Sequence, residues 1–358
     1  MKKLLFACSG VLTLTFALSL CLFLNVAAAA KTEKVVFAAG RPDDAWYALS
    51  YGLSKMINER STWLEAEVVA TAGVADNHRL AEPDPAKRAN HVIICQTPGM
   101  EFWNTPEYQA KKIGSCLHLT SAWVTLNPKI KTFKDLKGQS VAMSRKGPGF
   151  YLWIFADLLK QAGVWDTIKP KFGGTSAALT ALQDGAAEAG YIMFNYIYPD
   201  TYQLGPFLEE LKTRGPLYYL EQGNLQNNIE MISKAGRSEE YKDTPCPTLA
   251  LVVPPKALGE NQTEAMAIVS SPIFWAAGLD MPEKTVYEIT RIMYEAAEKG
   301  EFGDFNIFGK GITPEFLTTS FWETEEECRK NYHPGALKFY DERGIKLKSF
   351  GESYANLK

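Results

Sequence analysis

Apolar and polar positions alternate along most of the chain in blocks that change period. Lys34 to Ala39, Ala66 to Ala70 and Val92 to Cys95 are short apolar runs bounded by turn residues, and they predict strands. Between them, Leu49, Leu53, Met56 and Ile57 recur at helical spacing and predict a helix over about Ala45 to Glu59. Gly73 to Leu80 reads as another loop-to-helix junction. This βαβαβ order predicts a parallel sheet covered by helices. A second set follows an apolar segment, Leu117 to Leu126, that ends at Asn127-Pro128. It comprises a strand at Val141 to Met143, a helix from Tyr151 to Gly163, a strand at Lys169 to Phe172, a helix capped by Thr175 or Ser176, and a strand at Ala189 to Phe194. Asn195 to Pro199 then follows at the strand's carboxyl end.

The pattern weakens from Gly205 to about Gln262, where prolines suggest extended connections. Ala265 to Ala277 reads as one long strand. A helix opens at Leu279 to Glu283, with Val286, Ile289, Ile292 and Met293 as its apolar stripe. Gly300 to Gly311 reads as irregular. Helices near Pro314 to Arg329 and Gly335 to Glu342 complete the chain. No internal repeat or low-complexity tract is present.

The N-terminus has a different pattern. Lys2 and Lys3 precede an apolar run, Leu4 to Leu24, and then the small residues Ala27 to Ala30. These are the three parts of an export signal, with cleavage expected after Ala30; the long apolar run leaves an uncleaved anchor as the alternative. The formal charge of the chain is −3. A mildly acidic chain without a basic stripe argues against nucleic acid as a partner. Four cysteines lie beyond the signal: Cys95, Cys116, Cys246 and Cys328. They show no zinc spacing, and no metal or cofactor is expected. Cys95 and Cys116 are read either as a disulfide of an exported chain or as two small buried residues. Whether Cys246 and Cys328 pair is open.

The candidate chemistry centres on Ser144-Arg145-Lys146-Gly147-Pro148-Gly149, between a strand and the helix that starts at Phe150 and Tyr151. A helix start presents unpaired N–H groups and partial positive charge, which suits an anion. Gly147 and Gly149 permit close approach to the backbone, and Arg145 adds a guanidinium fork for a carboxylate. The alternative is an ordinary turn with solvated cations. None of the four histidines, His78, His91, His118 and His333, sits in a metal motif such as HExxH, and there is no GxSxG elbow. An exported enzyme is therefore the weaker reading beside a binding protein.

Several stretches together resemble the TAXI-type solute-binding proteins of tripartite ATP-independent periplasmic (TRAP) transporters. Trp46-Tyr47-Ala48-Leu49 fits the family's first helix start. Thr71, Gly73, Asn77, Arg79 and Leu80 match its second loop, and Cys95-Gln96-Thr97-Pro98 stands for its third. Asp135-Leu136-Lys137-Gly138 is intact, and Ser144 to Phe150 keeps two loop glycines. Ala181 to Gly185 and His333-Pro334-Gly335-Ala336 also fit. The departures, at Arg41 to Asp44 and at Arg145, Lys146, Pro148 and Phe150, bear on the ligand, since the family's usual ones are glutamate-like acids.

The resemblance implies an α/β, two-lobed periplasmic binding protein (Venus-flytrap) fold. Each lobe would be a mostly parallel sheet flanked by helices, and crossing strands would join the lobes. Residues 1–30 are then the signal peptide, 31–125 and 263–358 the first lobe, and 126–262 the second. It implies a periplasmic protein that captures a small carboxylate and delivers it to a TRAP membrane permease. An ATP-driven importer or a sensor would use a similar module. The candidate ligand contacts are Arg41, Trp46, Tyr47, Asn77, Gln96, Ser144, Arg145, Gly147, Gly149, Phe150, Tyr151, Asn195 and Tyr196. The aromatics among them imply a ligand with an apolar or aromatic body.

Overall fold

The computed structural model describes residues 33–349 except 43, 97–99, 101–103, 144–149, 199, 235–248 and 321–323. The expected signal segment, the Ser144 to Gly149 loop and Cys246 lie outside the described residues.

Strands β1 (Glu33–Ala38), β2 (Leu64–Val69) and β3 (His91–Gln96) are parallel, in the order β2-β1-β3. Helices α1 (Ala45–Arg60) and α2 (Val74–Ala81) connect them. The helical stripe read from sequence is the buried face of α1, with Leu49, Leu53, Met56 and Ile57 in the core. β4 (Ala110–Thr125) then runs through almost the whole molecule. The second parallel set is β5 (Ser140–Met143), β6 (Lys169–Phe172) and β7 (Ala189–Ile197), in the order β7-β5-β6. Its helices are α3 (Phe150–Gln161) and α4 (Thr175–Gln183).

Two corrections fall within this set. Gly174, not Thr175 or Ser176, occupies the N-cap of α4, with no side-chain cap bond. Asn195 and Tyr196 are paired residues within β7, which runs to Ile197, rather than a loop after it, because the antiparallel β8 (Thr201–Gln203) folds back on them.

The proline-rich stretch is more regular than its composition suggests. It forms α5 (Gly205–Lys212), a short strand β9 (Tyr218–Tyr219), α6 (Leu225–Lys234) and β10 (Leu249–Val253). Pro206 sits at the start of α5, and Pro216, Pro254 and Pro255 lie in connections between elements, so they do not break these elements. β11 (Met266–Gly278) is the second long strand, buried throughout. It leads into α7 (Glu283–Glu298), whose buried face carries the expected stripe. The helix expected over Pro314 to Arg329 is broken into α8 (Pro314–Thr318) and α9 (Glu325–Asn331). α10 (Pro334–Glu342) closes the fold.

The sheet order is β2-β1-β3-β11-β4-β7-β5-β6. Its outer triplets are parallel. β11 is antiparallel to β3, β4 is antiparallel to β7, and β11 and β4 are antiparallel to each other. The two ends of the sheet are therefore built alike, and each receives one strand arriving from the other end. β4 leaves the first core at Leu117 and enters the second with Ala122, Trp123 and Val124. β11 runs the opposite way, from Ile268 and Val269 to Ile273. This is a two-lobed α/β architecture, with β4 and β11 as the crossing strands.

Candidate functional site

Parallel strands deliver their carboxyl ends, and the helix starts that follow, to one edge of each lobe. The two edges face each other across a cavity of about 540 Å³. The first lobe contributes Arg41, Asp44 and Trp46 from the start of α1, and Asn306 to Phe308 from a short 3-10 segment. The second lobe contributes Met143, Phe155 and Phe207, together with Gly174, Ser176 and Ala177 at the start of α4. The crossing strand β4 and its second-lobe partner β7 form the floor. Leu117, Leu119 and Ser121 on β4, and Tyr191, Met193 and Asn195 on β7, are alternate residues on one sheet face.

The floor carries two buried polar side chains. Ser121 and Asn195 are each 4% exposed. Neither side chain has a hydrogen-bond partner among the described residues, and both line the cavity. Ser121 pairs with Met193 across β4 and β7, which places Asn195 diagonally beside it on the same face. Gly205, at φ 73°, brings the backbone against that amide; a Cβ there would lie 2.7 Å from Asn195 Oδ1. At the start of α4 the Ala178 N–H bonds Gly174 O at 3.0 Å, so the N–H groups of Ser176 and Ala177 precede the helix's own ladder.

The sequence-derived candidates separate into groups. Arg41, Trp46 and Asn195 line the cavity. The Arg41 guanidinium is exposed at the mouth, with Nε 3.7 Å from Asp44 Oδ2. Trp46 packs over Gly40, where a Cβ would meet the indole at 2.2 Å; its Nε1 has no partner among the described residues. Gly40 at φ 80° is therefore required both by its turn and by this ring.

Tyr47 packs instead against the first lobe's core. Asn77 is fully buried. Its amide donates to Ile94 O at 2.7 Å, and its Oδ1 accepts from Thr71 Oγ1 at 2.5 Å. Thr71 Oγ1 in turn accepts from Gly40 N at 3.0 Å. The Thr71–Asn77 pair thus ties together the ends of β1, β2 and β3, and Asn77 neither caps α2 nor reaches the cavity. Gln96 ends β3, half-buried, outside the cavity lining. Tyr196 faces the opposite side of β7 from Asn195, stacked between His118 and Tyr202 at 5.3 and 5.4 Å. Ser144, Arg145, Gly147 and Gly149 lie outside the described residues. Phe150 and Tyr151 open α3, and their side chains lie outside the description as well.

Several lining residues escaped the sequence reading: Tyr191, Met193, Phe155, Phe207 and the Asn306 to Phe308 segment. The signal for the floor was period-2 alternation, Leu117-Leu119-Ser121 and Tyr191-Met193-Asn195. It could have been read once these stretches were recognised as paired strands.

The histidines are structural. His118 is pulled down to about 3, first by burial and then by the Lys112 charge. Burial takes His78 and His333 to about 4. His333 caps α10 by accepting from Gly335 N at 3.1 Å. His78 Nε2 lies 3.3 Å from Cys95 Sγ in the first lobe's interior. Cys95 and Cys116 are both buried and not bridged to each other, so the disulfide reading is corrected in favour of two small buried residues. Among the described residues no group of three His, Cys, Asp or Glu could hold a metal ion. No described helix is long and apolar enough to cross a membrane.

No protein-family model and no curated protein sequence matches the chain. Solved structures do resemble it. The periplasmic aliphatic sulphonate binding protein SsuA from Escherichia coli shares 15% identity at a TM-score of 0.41, covering 87% of this chain and 94% of that one. MatC from Rhodopseudomonas palustris, with bound malate, shares 15% identity at 0.44, covering 79% and 90%. XAC2383 from Xanthomonas citri, bound to chloride ion, shares 9% identity at 0.45, covering 86% and 99%.

Proposed function

We propose that the chain is an extracytoplasmic solute-binding protein that captures a small organic acid between its lobes and passes it to a membrane permease. The observation that carries this reading is a cavity lined by both lobes and floored by β4 and β7. A ligand there touches both lobes only when they close, so its binding energy drives closure. The volume suits a small molecule. In this reading Arg41, Trp46 and Asn195 contact the ligand. The Ser144 to Gly149 loop, with Arg145, would join them from the start of α3. The sequence likeness to TAXI-type proteins supports a TRAP permease as the partner and the periplasm as the location.

Calorimetry of the purified chain against mono- and dicarboxylates tests capture, with small-angle scattering to report closure. One-to-one binding, a smaller radius of gyration with ligand and no turnover are expected. Turnover of a bound acid would make it an enzyme. Reconstitution with a TRAP or an ATP-driven permease separates the two transporter types.

A further inference from the structure

The polar and apolar parts of the cavity are segregated. The buried polar part lies at the floor and in the second lobe, and consists of the Ser121 hydroxyl, the Asn195 amide and the N–H groups at the start of α4. α4 has nine residues, long enough for its N-terminal end to carry partial positive charge. Ser121 and Asn195 are each 4% exposed, point from alternate positions of the floor into the cavity, and have no described partner. A buried polar group without a partner costs free energy, which a ligand oxygen would recover. The first-lobe rim adds Arg41, Asp44, Asn306 and the Trp46 indole N–H; the wall between rim and floor is apolar, with Met143, Phe155, Met193, Phe207, Ile307 and Phe308.

We infer that Ser121, Asn195 and the start of α4 form the head-group subsite for a singly charged organic carboxylate, whose apolar body lies against the facing Met, Phe and Ile side chains. The inference rests on the solute-capture reading and adds which end of the ligand goes where. The carboxylate accepts from the Asn195 amide, the Ser121 hydroxyl and the Ser176 and Ala177 N–H groups. The head therefore docks on the second lobe. Trp46, Ile307 and Phe308 of the first lobe close over the body. A second carboxylate set among these Met, Phe and Ile side chains would be stripped of water without donors, and at the rim it would meet the Asp44 carboxylate already beside Arg41, so dicarboxylates are disfavoured.

The test compares hexanoate and phenylacetate with glutarate and with phenylacetamide, by calorimetry on the wild-type chain and on Ser121→Ala and Asn195→Asp. Hexanoate and phenylacetate should bind at least about tenfold more tightly than glutarate or phenylacetamide. Ser121→Ala should weaken phenylacetate by about tenfold, the cost of a lost bond to a charged group. Asn195→Asp sets a carboxylate against the ligand's own; it should weaken phenylacetate by about a hundredfold and leave phenylacetamide nearly unchanged. If Asn195→Asp does not fold, Ser121→Ala decides. Glutarate binding as tightly as hexanoate overturns the apolar-body assignment and leaves solute capture standing. Wild-type affinity for phenylacetate in the variants overturns the head-group subsite. No binding of any acid overturns this inference and the solute-capture reading together.

Discussion

His118 Nδ1 lies 2.6 Å from Ser270 Oγ, and this contact joins the two crossing strands where each passes from one lobe's core to the other's. The ring stands between Tyr196 of the second lobe, at 5.3 Å, and Phe316 of the first, at 5.4 Å. A charged imidazole there would lie without water between two aromatic rings, which is why burial holds it neutral down to about 3.

Stability should therefore depend on pH through the histidines. An unfolded histidine takes up its proton near 6.5, whereas His118 in the fold does so only at about 3, and His78 and His333 at about 4. The unfolded chain binds more protons throughout that window. Stability from these groups is complete above pH 6.5 and is lost as pH falls toward 4, by roughly 1.4 kcal/mol per pH unit for each group. Urea midpoints at pH 7, 6 and 5 should fall in order, and His118→Gln should fall less steeply than wild type. Parallel curves for the two proteins would show that His118 titrates normally in the fold.

Gly335 sits where its missing side chain matters. A Cβ there would come within 2.3 Å of Glu283 O, a backbone atom of α7 that has little room to move. Gly335→Ala should lower unfolding free energy by about 1–3 kcal/mol, the range for overpacking a core. Denaturant titration measures it, and a change of a few tenths would mean that α10 shifts freely.

The buried thiols give a chemical test. Cys95, Cys116 and Cys328 should resist alkylation in the folded protein and react once denaturant is added, without any reductant. Mass spectrometry of the peptides reads this directly. A Cys95–Cys116 peptide pair that requires reduction would contradict the fold's account of both residues.

Arg145 tests the loop that the sequence singled out. A guanidinium in this loop would add to the pairing of the ligand's carboxylate, so Arg145→Ala should weaken carboxylate binding by roughly 2–5 kcal/mol. Lys146→Ala, as a rim charge, should cost less than about 1 kcal/mol. Calorimetry on both variants, with melting temperatures taken without ligand, separates contact from folding. Equal, wild-type affinities would return both residues to the role of solvated cations.

The local pattern was enough to read the parallel βαβ sets and the long strand at Ala265 to Ala277, because apolar periodicity reports directly which face of an element is buried. It also marked Trp46, Arg41 and Asn195, which follow or end strands whose carboxyl ends reach the cavity. Pairing decided the rest. Asn195 and Tyr196 are neighbours in sequence, yet pairing with β4 and β8 makes them strand residues, so one faces the cavity and the other the core. Asn77 looks like a ligand contact in a loop motif, but the approach of β1, β2 and β3 commits its amide to Ile94 and Thr71. His118, Thr120 and Ser121 read from sequence only as weaker contacts near the expected crossing, and pairing decides among them in favour of Ser121. Its hydroxyl became part of a cavity only because β4 crosses between lobes and sets that face opposite the start of α4. Periodicity carries information about a residue's own element; which element lies opposite it is fixed by contacts distant in sequence, and those arise only when the lobes assemble.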